Sequence, residues 1–403
     1  MIRVPLASSG LRKKDIDEVI RVLNSGQLTM GPVVHEFEDA MSNYLGLKHF
    51  VMTNSGSSAN LLMVESLLRP TKSSPKVHHG DAFLVPAIAW PTTVWPIIQL
   101  GLRPIFVDID PETLGIDLQI VESLVHEADG AVRGIFPIHP LGLALDPIKL
   151  QSIADMFELS LINDVCESLG SWRHNLHAGA VGHASSYSFY FSHHITTMEG
   201  GGVATNDDQV ADDLRSMRSH GWSRDRSDAS EWHQKTTYND SRFLFVSTGY
   251  NVRPMEIQAA IGLVQLQDLD KFVQRRRNIV ETVQSVLKGS DIRLIGYDIA
   301  QVHSGAHSWM LMPLQITGKH ASRRKERIIQ YLNENLIETR PILTGNFLAQ
   351  PAVRRITRDL VSPDQFPNAT HISQSSFMTS CHHDLNDLQV EHLARSLEVC
   401  TRM

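Results

Sequence analysis

A chain of 403 residues, 42% hydrophobic and 20% charged, is long enough for two domains around a sizeable core and too apolar to be disordered. A net charge of −7 without a basic block argues against a nucleic-acid partner, and no apolar run is long enough to span a membrane. Three cysteines, Cys166, Cys381 and Cys400, lie far apart and form no C-x-x-C pair, which predicts reduced thiols, no disulfide frame and no metal site.

The first residues lack the apolar centre of a signal peptide, so the expected location is the cytoplasm. From about residue 49 short apolar runs alternate with amphipathic stretches, the form of a largely parallel sheet covered by helices. Strands are predicted at 49–53, 83–86, 104–108, 134–138, 159–164 and 203–205. Helices are predicted at 57–68, 92–100, 147–157 and 207–220, with apolar positions three or four apart and Gly, Pro or acidic boundaries. The polar, aromatic-rich stretch Trp222 to Ser247 is too long for a plain connection and reads as a lid or inter-subunit arm, or else a packed excursion.

One long helix is expected from Pro254 to about Leu287, bridging a large domain, 1–265, and a smaller α+β domain, 266–403. Its Arg275-Arg276-Arg277 run reads as a solvated or phosphate-facing stripe. The smaller domain is assigned extended segments at 292–295, 308–316 and 337–341, and helices at 322–336 and 385–400.

Thr53 to Asn60 follows a strand and opens a helix, so Gly56, Ser57 and the nearby hydroxyls could cradle a phosphate at the positive helix end; plain helix capping is the competing reading. Asp164 ends an apolar strand, where a carboxylate could partner a pyridine nitrogen or cap a helix. Trp90, shortly after another strand, could stack on a flat ring or simply pack in the core. Ser188 stands five residues before His193, which opens His193-His194-Ile195-Thr196 ahead of Glu199-Gly200-Gly201.

The turn Ser188 to Gly201 resembles an aminotransferase active-site turn with histidine in place of the lysine that normally holds pyridoxal phosphate (PLP) covalently. No lysine occurs between Lys149 and Lys235 to take over that role. With Ser25 to Pro32, Pro86 to Thr93, Gly249 to Ala260 and Ile337 to Ile342, the chain is similar nearly end to end to the sugar aminotransferases of the DegT/DnrJ/StrS type, PLP fold type I. Within them it resembles the branch of nucleotide-sugar 3-dehydratases.

That resemblance implies an α/β fold with a large mostly parallel-sheet domain and a smaller C-terminal α+β domain. It implies PLP and its amine form, pyridoxamine phosphate (PMP), held by Gly56, Ser57 and Ser188 at the phosphate. Asp164 would stand at the pyridine nitrogen, Trp90 at the ring face and Glu167 near the ring hydroxyl. Asn251 would reach the phosphate in a neighbouring subunit, giving a homodimer with shared active sites, and His220 and Arg340 would contact the nucleotide sugar. Branch members acting on CDP-sugars carry cysteines for an iron–sulfur cluster; no such set occurs here, so GDP is the expected nucleotide. The implied reaction is loss of the C3 hydroxyl from a nucleotide-linked 4-keto-6-deoxyhexose, with glutamate as amino donor, ammonia as co-product and His193 as acid and base. A nucleotide-sugar aminotransferase and a catalytically silent binding or regulatory protein of the same fold are the alternatives.

Overall fold

A computed structural model describes residues 2–8, 10–69, 77–128, 130–238, 240–358 and 360–403. The chain opens with two amphipathic helices, α1 (Lys13–Ser25) and α2 (Pro32–Leu45). Proline at the first turn starts α2, and the buried Glu256 carboxylate accepts the free N–H groups of Gly31 and Val33, each at 2.9 Å.

The main body alternates strands and helices: β1 (His49–Thr53), α3 (Gly56–Leu67), β2 (Ala82–Pro86), α4 (Pro91–Gln99), β3 (Arg103–Val107), α5 (Leu118–Glu127), β4 (Val132–Ile135), α6 (Pro147–Met156) and β5 (Ser160–Asp164). A short hairpin, β6 (Trp172–Arg173) and β7 (Leu176–His177), precedes β8 (Ala184–Ser188), β9 (Gly201–Thr205) and α7 (Asp208–Met217). Among the described residues these strands form a seven-stranded sheet in the order β1-β9-β8-β5-β4-β2-β3. The run from β3 to β8 is parallel, and β9 lies antiparallel to both its neighbours.

After α8 (Ala229–Lys235) come α9 (Glu256–Leu266), α10 (Leu269–Leu287), β10 (Ile292–Leu294), α11 (Tyr297–Val302), β11 (Met312–Ile316), α12 (Ala321–Glu334), β12 (Thr339–Arg340), α13 (Pro351–Ile356), α14 (Pro367–Ser375), β13 (Ser376–Thr379) and α15 (Asp387–Cys400). The second sheet, β10-β11-β13-β12, is antiparallel throughout. Val4 bridges Ile337 and is buried with Leu332, Phe377 and Leu393, so the N-terminal segment joins this C-terminal core. No helix among the described residues is long and apolar enough to cross a membrane.

Several boundaries differ from the sequence reading. The single helix of 254–287 is two, because the chain leaves helical geometry at Asp268, whose carboxylate gathers Arg12, Lys14 and Lys271. The 207–220 helix stops at Met217, since His220 and Gly221 both take positive φ. The 134–138 strand ends at Ile135, and Ile138 keeps only a bridge to Asp164. Strand β8 went unread because its Ala-Ser-Ser-Tyr-Ser sequence carries little apolar signal, yet it is wholly buried; Ser185 satisfies its hydroxyl on the Gly179 carbonyl at 2.6 Å.

The arginine run is not one stripe either. Successive helical residues turn by about 100°, so the three side chains part company. Arg275 reaches Asp387, whereas Arg276 is fully buried. The 222–247 stretch holds α8, stacks Trp222 on Phe243 at 5.9 Å and is pinned to α7 by Arg226 on Asp213 at 2.7 Å, leaving Tyr238, Phe243 and Phe245 about half exposed.

Candidate active site

Parallel strands end together on one edge of the large sheet, where open α/β folds place their ligands. Here β5 delivers Asp164 as its last residue, β8 delivers Ser188, and Trp90 follows β2 and caps α4. They line a cavity of about 380 Å³ with Gly56, Ser57, Glu167, His193 and Arg340. No lysine lines it.

Register explains the glycines. Thr53 pairs with Gly201, and Gly201 with Ser188, so the end of β1, the Gly-Gly strand and the end of β8 share one rung. A Cβ on Gly201 would lie 2.5 Å from the Gly56 nitrogen, and one on Gly56 would lie 2.5 Å from the Ser188 Cβ. Side chains at either position would force apart the α3 entry and Ser188. The capping reading of the Thr53 to Asn60 turn holds: Ser55 caps α3 by accepting the Ser58 N–H at 3.1 Å, and the N–H groups of Gly56 and Ser57 belong to the first turn, which has no intrahelical acceptors for them.

Asp164 is almost fully buried and caps no helix. Its Oδ2 accepts from Asn60 Nδ2 at 2.9 Å and Thr93 Oγ1 at 2.8 Å, and its Oδ1 accepts from the Cys166 N–H at 3.1 Å. Three donors hold the carboxylate in a fixed direction at the cavity wall. Asn60 and Thr93 were not singled out in the sequence. Their signal was a polar residue near the start of each helix, Asn60 in the second turn of α3 and Thr93 in the first turn of α4.

The loop between β8 and β9 folds back on itself, with His193 N–H donating to Tyr190 O at 2.9 Å. Nδ1 of His193 lies 3.1 Å from the Ser188 carbonyl oxygen, which can only accept, so Nδ1 carries the hydrogen and Nε2 is left with a free lone pair. Burial pushes the imidazole down to about 4, further lowered by Arg276 and Arg340 and opposed by the Ser188 carbonyl and Asp164. The ring is therefore neutral at pH 7. His194, next to it, is buried and does not line the cavity.

Glu167 is pushed up to about 7 by burial, against the Leu141 N–H that its Oε2 accepts at 2.8 Å. Trp90 is about half exposed, with the Arg340 guanidinium 5.8 Å from its ring centre. His220 and Asn251 do not line this cavity; they sit together beyond α7, where the His220 N–H donates to Tyr250 O at 2.7 Å and Ser219 bridges Asn251. His382, His383 and Asp384 bring possible metal-ligand atoms within 4.8 Å of one another apart from the cavity lining, a grouping that the cysteine and histidine spacing did not suggest. Burial, together with the Arg276 charge, holds both of these imidazoles well below their usual range.

Fold and cavity together define a PLP-dependent enzyme of the aminotransferase fold, type I, in which a histidine stands at the cofactor-linking turn. The chain belongs to the DegT/DnrJ/EryC1/StrS aminotransferase family, whose pattern matches residues 10–398. It is 34% identical over 401 residues, 99% of each chain, to the GDP-4-keto-6-deoxy-D-mannose 3-dehydratase of Yersinia pseudotuberculosis. The structure of the E. coli GDP-4-keto-6-deoxy-D-mannose-3-dehydratase with bound hydrated PLP superposes with a TM-score of 0.88 at 32% identity, covering 98% of this chain and all of that one. The same type of enzyme with a trapped PLP-glutamate geminal diamine gives a TM-score of 0.83 at 32% identity, with the same coverage.

Proposed function

We propose that this chain removes the C3 hydroxyl of a GDP-linked 4-keto-6-deoxyhexose, with PLP/PMP as cofactor, glutamate as amino donor and His193 as acid and base. The observation that carries the reading is a neutral His193 with Nδ1 engaged and Nε2 free, in a cavity that no lysine among the described residues lines.

The residues present fit the cofactor. Free N–H groups at Gly56 and Ser57 and the Ser188 hydroxyl suit a phosphate; Asp164 suits a protonated ring nitrogen; Trp90 suits a flat ring face. Glu167, poised near neutrality, can share a proton with a ring hydroxyl. When bound, PMP supplies an amine that links to the sugar ketone and a protonated ring that takes up an electron pair. Asn251 of a second subunit would complete the phosphate site, Arg340 would hold the nucleotide sugar, and His220, which lies beside Asn251 and outside this cavity, would reach that sugar only from the second subunit.

Within this frame His193 does the proton work. Nε2 can take a proton, and the imidazolium it becomes sits in a buried site that disfavours it. It therefore gives that proton up readily to the departing C3 oxygen. A lysine amine here would recapture the cofactor; an imidazole does not.

Incubation of the protein with PLP, glutamate and GDP-4-keto-6-deoxymannose tests the reading. A 3-deoxy sugar and ammonia are expected. A 4-amino sugar as the sole product would make the chain an aminotransferase, and no turnover with no cofactor spectrum would make it a silent binding protein.

A further inference from the structure

Arg276 is the largest fully buried side chain among the described residues, and none of the ion pairs found among them involves it. A guanidinium out of water without a carboxylate is costly unless its hydrogen bonds are met. Here Nη1 and Nη2 are met by main-chain carbonyls, while the buried Nε finds no partner among the described residues. Nη1 donates to Met310 O at 2.8 Å and to Trp309 O at 3.2 Å, and Nη2 donates to His193 O at 3.4 Å.

The choice of acceptors is informative. His193 and Met310 both line the cavity, one from the β8–β9 turn and the other from the segment entering β11. Trp309, between Arg276 and that segment, holds a positive φ of 55°, and Cys381 Sγ donates to the same Trp309 carbonyl at 3.1 Å. One side chain of α10 thus ties two walls of the cavity that no sheet hydrogen bond joins.

We propose that Arg276 is a positioning residue for the acid–base step: it fixes the main chain of His193 against that of Met310, so that the imidazole keeps one orientation at the cavity. This rests on the role given to His193 above. Arg276 touches neither cofactor nor substrate in this account; it acts through the backbone it holds.

Arg276→Met tests it by removing the charge and every donor while keeping an unbranched side chain, which leaves carbonyls of Trp309, Met310 and His193 without this partner. Arg276→Gln, which keeps donors but cannot span three carbonyls, is the second variant. Expected for both are a lowered melting temperature with a cooperative transition still above the assay temperature, a KM for the nucleotide sugar within about threefold, and a kcat lower by about 100-fold, the scale on which displacement by about 1 Å acts. Nitrogen-15 spectra of histidine-labelled, cofactor-free protein give a readout apart from activity: a single Nδ1–H tautomer of His193 that becomes a mixture in the variants. If the unaltered protein makes no 3-deoxy sugar, the proposed function falls, while the tautomer and the glutamate-driven conversion of PLP to PMP still report on Arg276. An unchanged tautomer with unchanged rates, or failure of both variants to fold, would assign Arg276 to packing alone and overturn the proposal.

Discussion

Ser188 and His193 are joined through the main-chain carbonyl of the first and Nδ1 of the second, 3.1 Å apart, while the Ser188 hydroxyl stands beside Gly56. One strand end therefore fixes the tautomer of the proposed base and one side of the proposed phosphate cradle. A shift of β8 along its neighbours would disturb both.

His193→Asn removes the proton carrier and keeps a side chain of similar polarity. C3 deoxygenation should fall by roughly 10²–10⁴-fold, the usual worth of a positioned acid–base group. PLP binding, followed by absorbance, should change little. Residual turnover within tenfold of the unaltered protein would remove His193 from the chemistry.

The glycine rung makes a steric prediction. Gly201→Ala places a methyl 2.5 Å from the Gly56 nitrogen, against main chain that cannot swing away. Overpacking of this kind costs about 1–3 kcal/mol, so the melting temperature should drop and PLP should bind more weakly. Gly26→Ala, with nothing within 4 Å of the new methyl, is a control for the packing effect; its own cost comes from a φ of 73°. Unaltered PLP affinity in Gly201→Ala would show that the rung does not shape the cradle.

Thr93→Val keeps the shape of the α4 turn and deletes one donor to Asp164. Leaving a buried acceptor short of a partner costs about 1–3 kcal/mol. The expected result is weaker retention of PMP on gel filtration and a slower reaction, with the fold preserved in far-ultraviolet circular dichroism. If retention and rate both match the unaltered protein, Thr93 has no part in aiming Asp164.

Burial of histidines sets the acid limit of stability. His139 and His193 are held down to about 4, and His177 to about 3, all chiefly by burial. Between those values and about 6.5, the unfolded chain binds protons that the folded chain refuses, so stability is full above about pH 6.5 and is lost as pH falls. Each such group contributes at most about 1.4 kcal/mol per pH unit across that window. The guanidinium chloride midpoint should be lower at pH 5.5 than at pH 7.5. A midpoint that stays level or rises on acidification contradicts the burial of these rings.

Glu167 offers a spectroscopic test. Pushed up to about 7, it titrates where bound PLP absorbs. The absorbance of the PLP complex should show an inflection near neutrality that Glu167→Gln abolishes. Persistence of the inflection in the variant would place the titrating group elsewhere.

Much of this was legible in the sequence because apolar strands with a polar last residue mark both the sheet and its ligand edge; Asp164 was readable that way. The Ser-rich helix entry was readable as a cap, but the close approach of Gly56, Gly201 and Ser188 was not, because it comes from the register of β1, β9 and β8. What stayed hidden depends on three-dimensional neighbours. Strand β8 hid because serines can be buried when carbonyls from neighbouring turns satisfy them, as Ser185 shows on Gly179. Arg276 hid inside a charged run because local composition says nothing about which way one helical residue faces. The break at Asp268 hid because its cause is a cluster of cations, two of them some 250 positions earlier in the chain.

A cavity with no lysine amine among its described lining residues to anchor an aldehyde leaves occupancy to mass action. Whatever fills it enters and leaves reversibly, so dilution and dialysis should strip the protein in a way that lysine-linked relatives resist. The folded state would then gain RT ln(1 + [L]/Kd) from its occupant, and heat tolerance would track the vitamin supply of the cell.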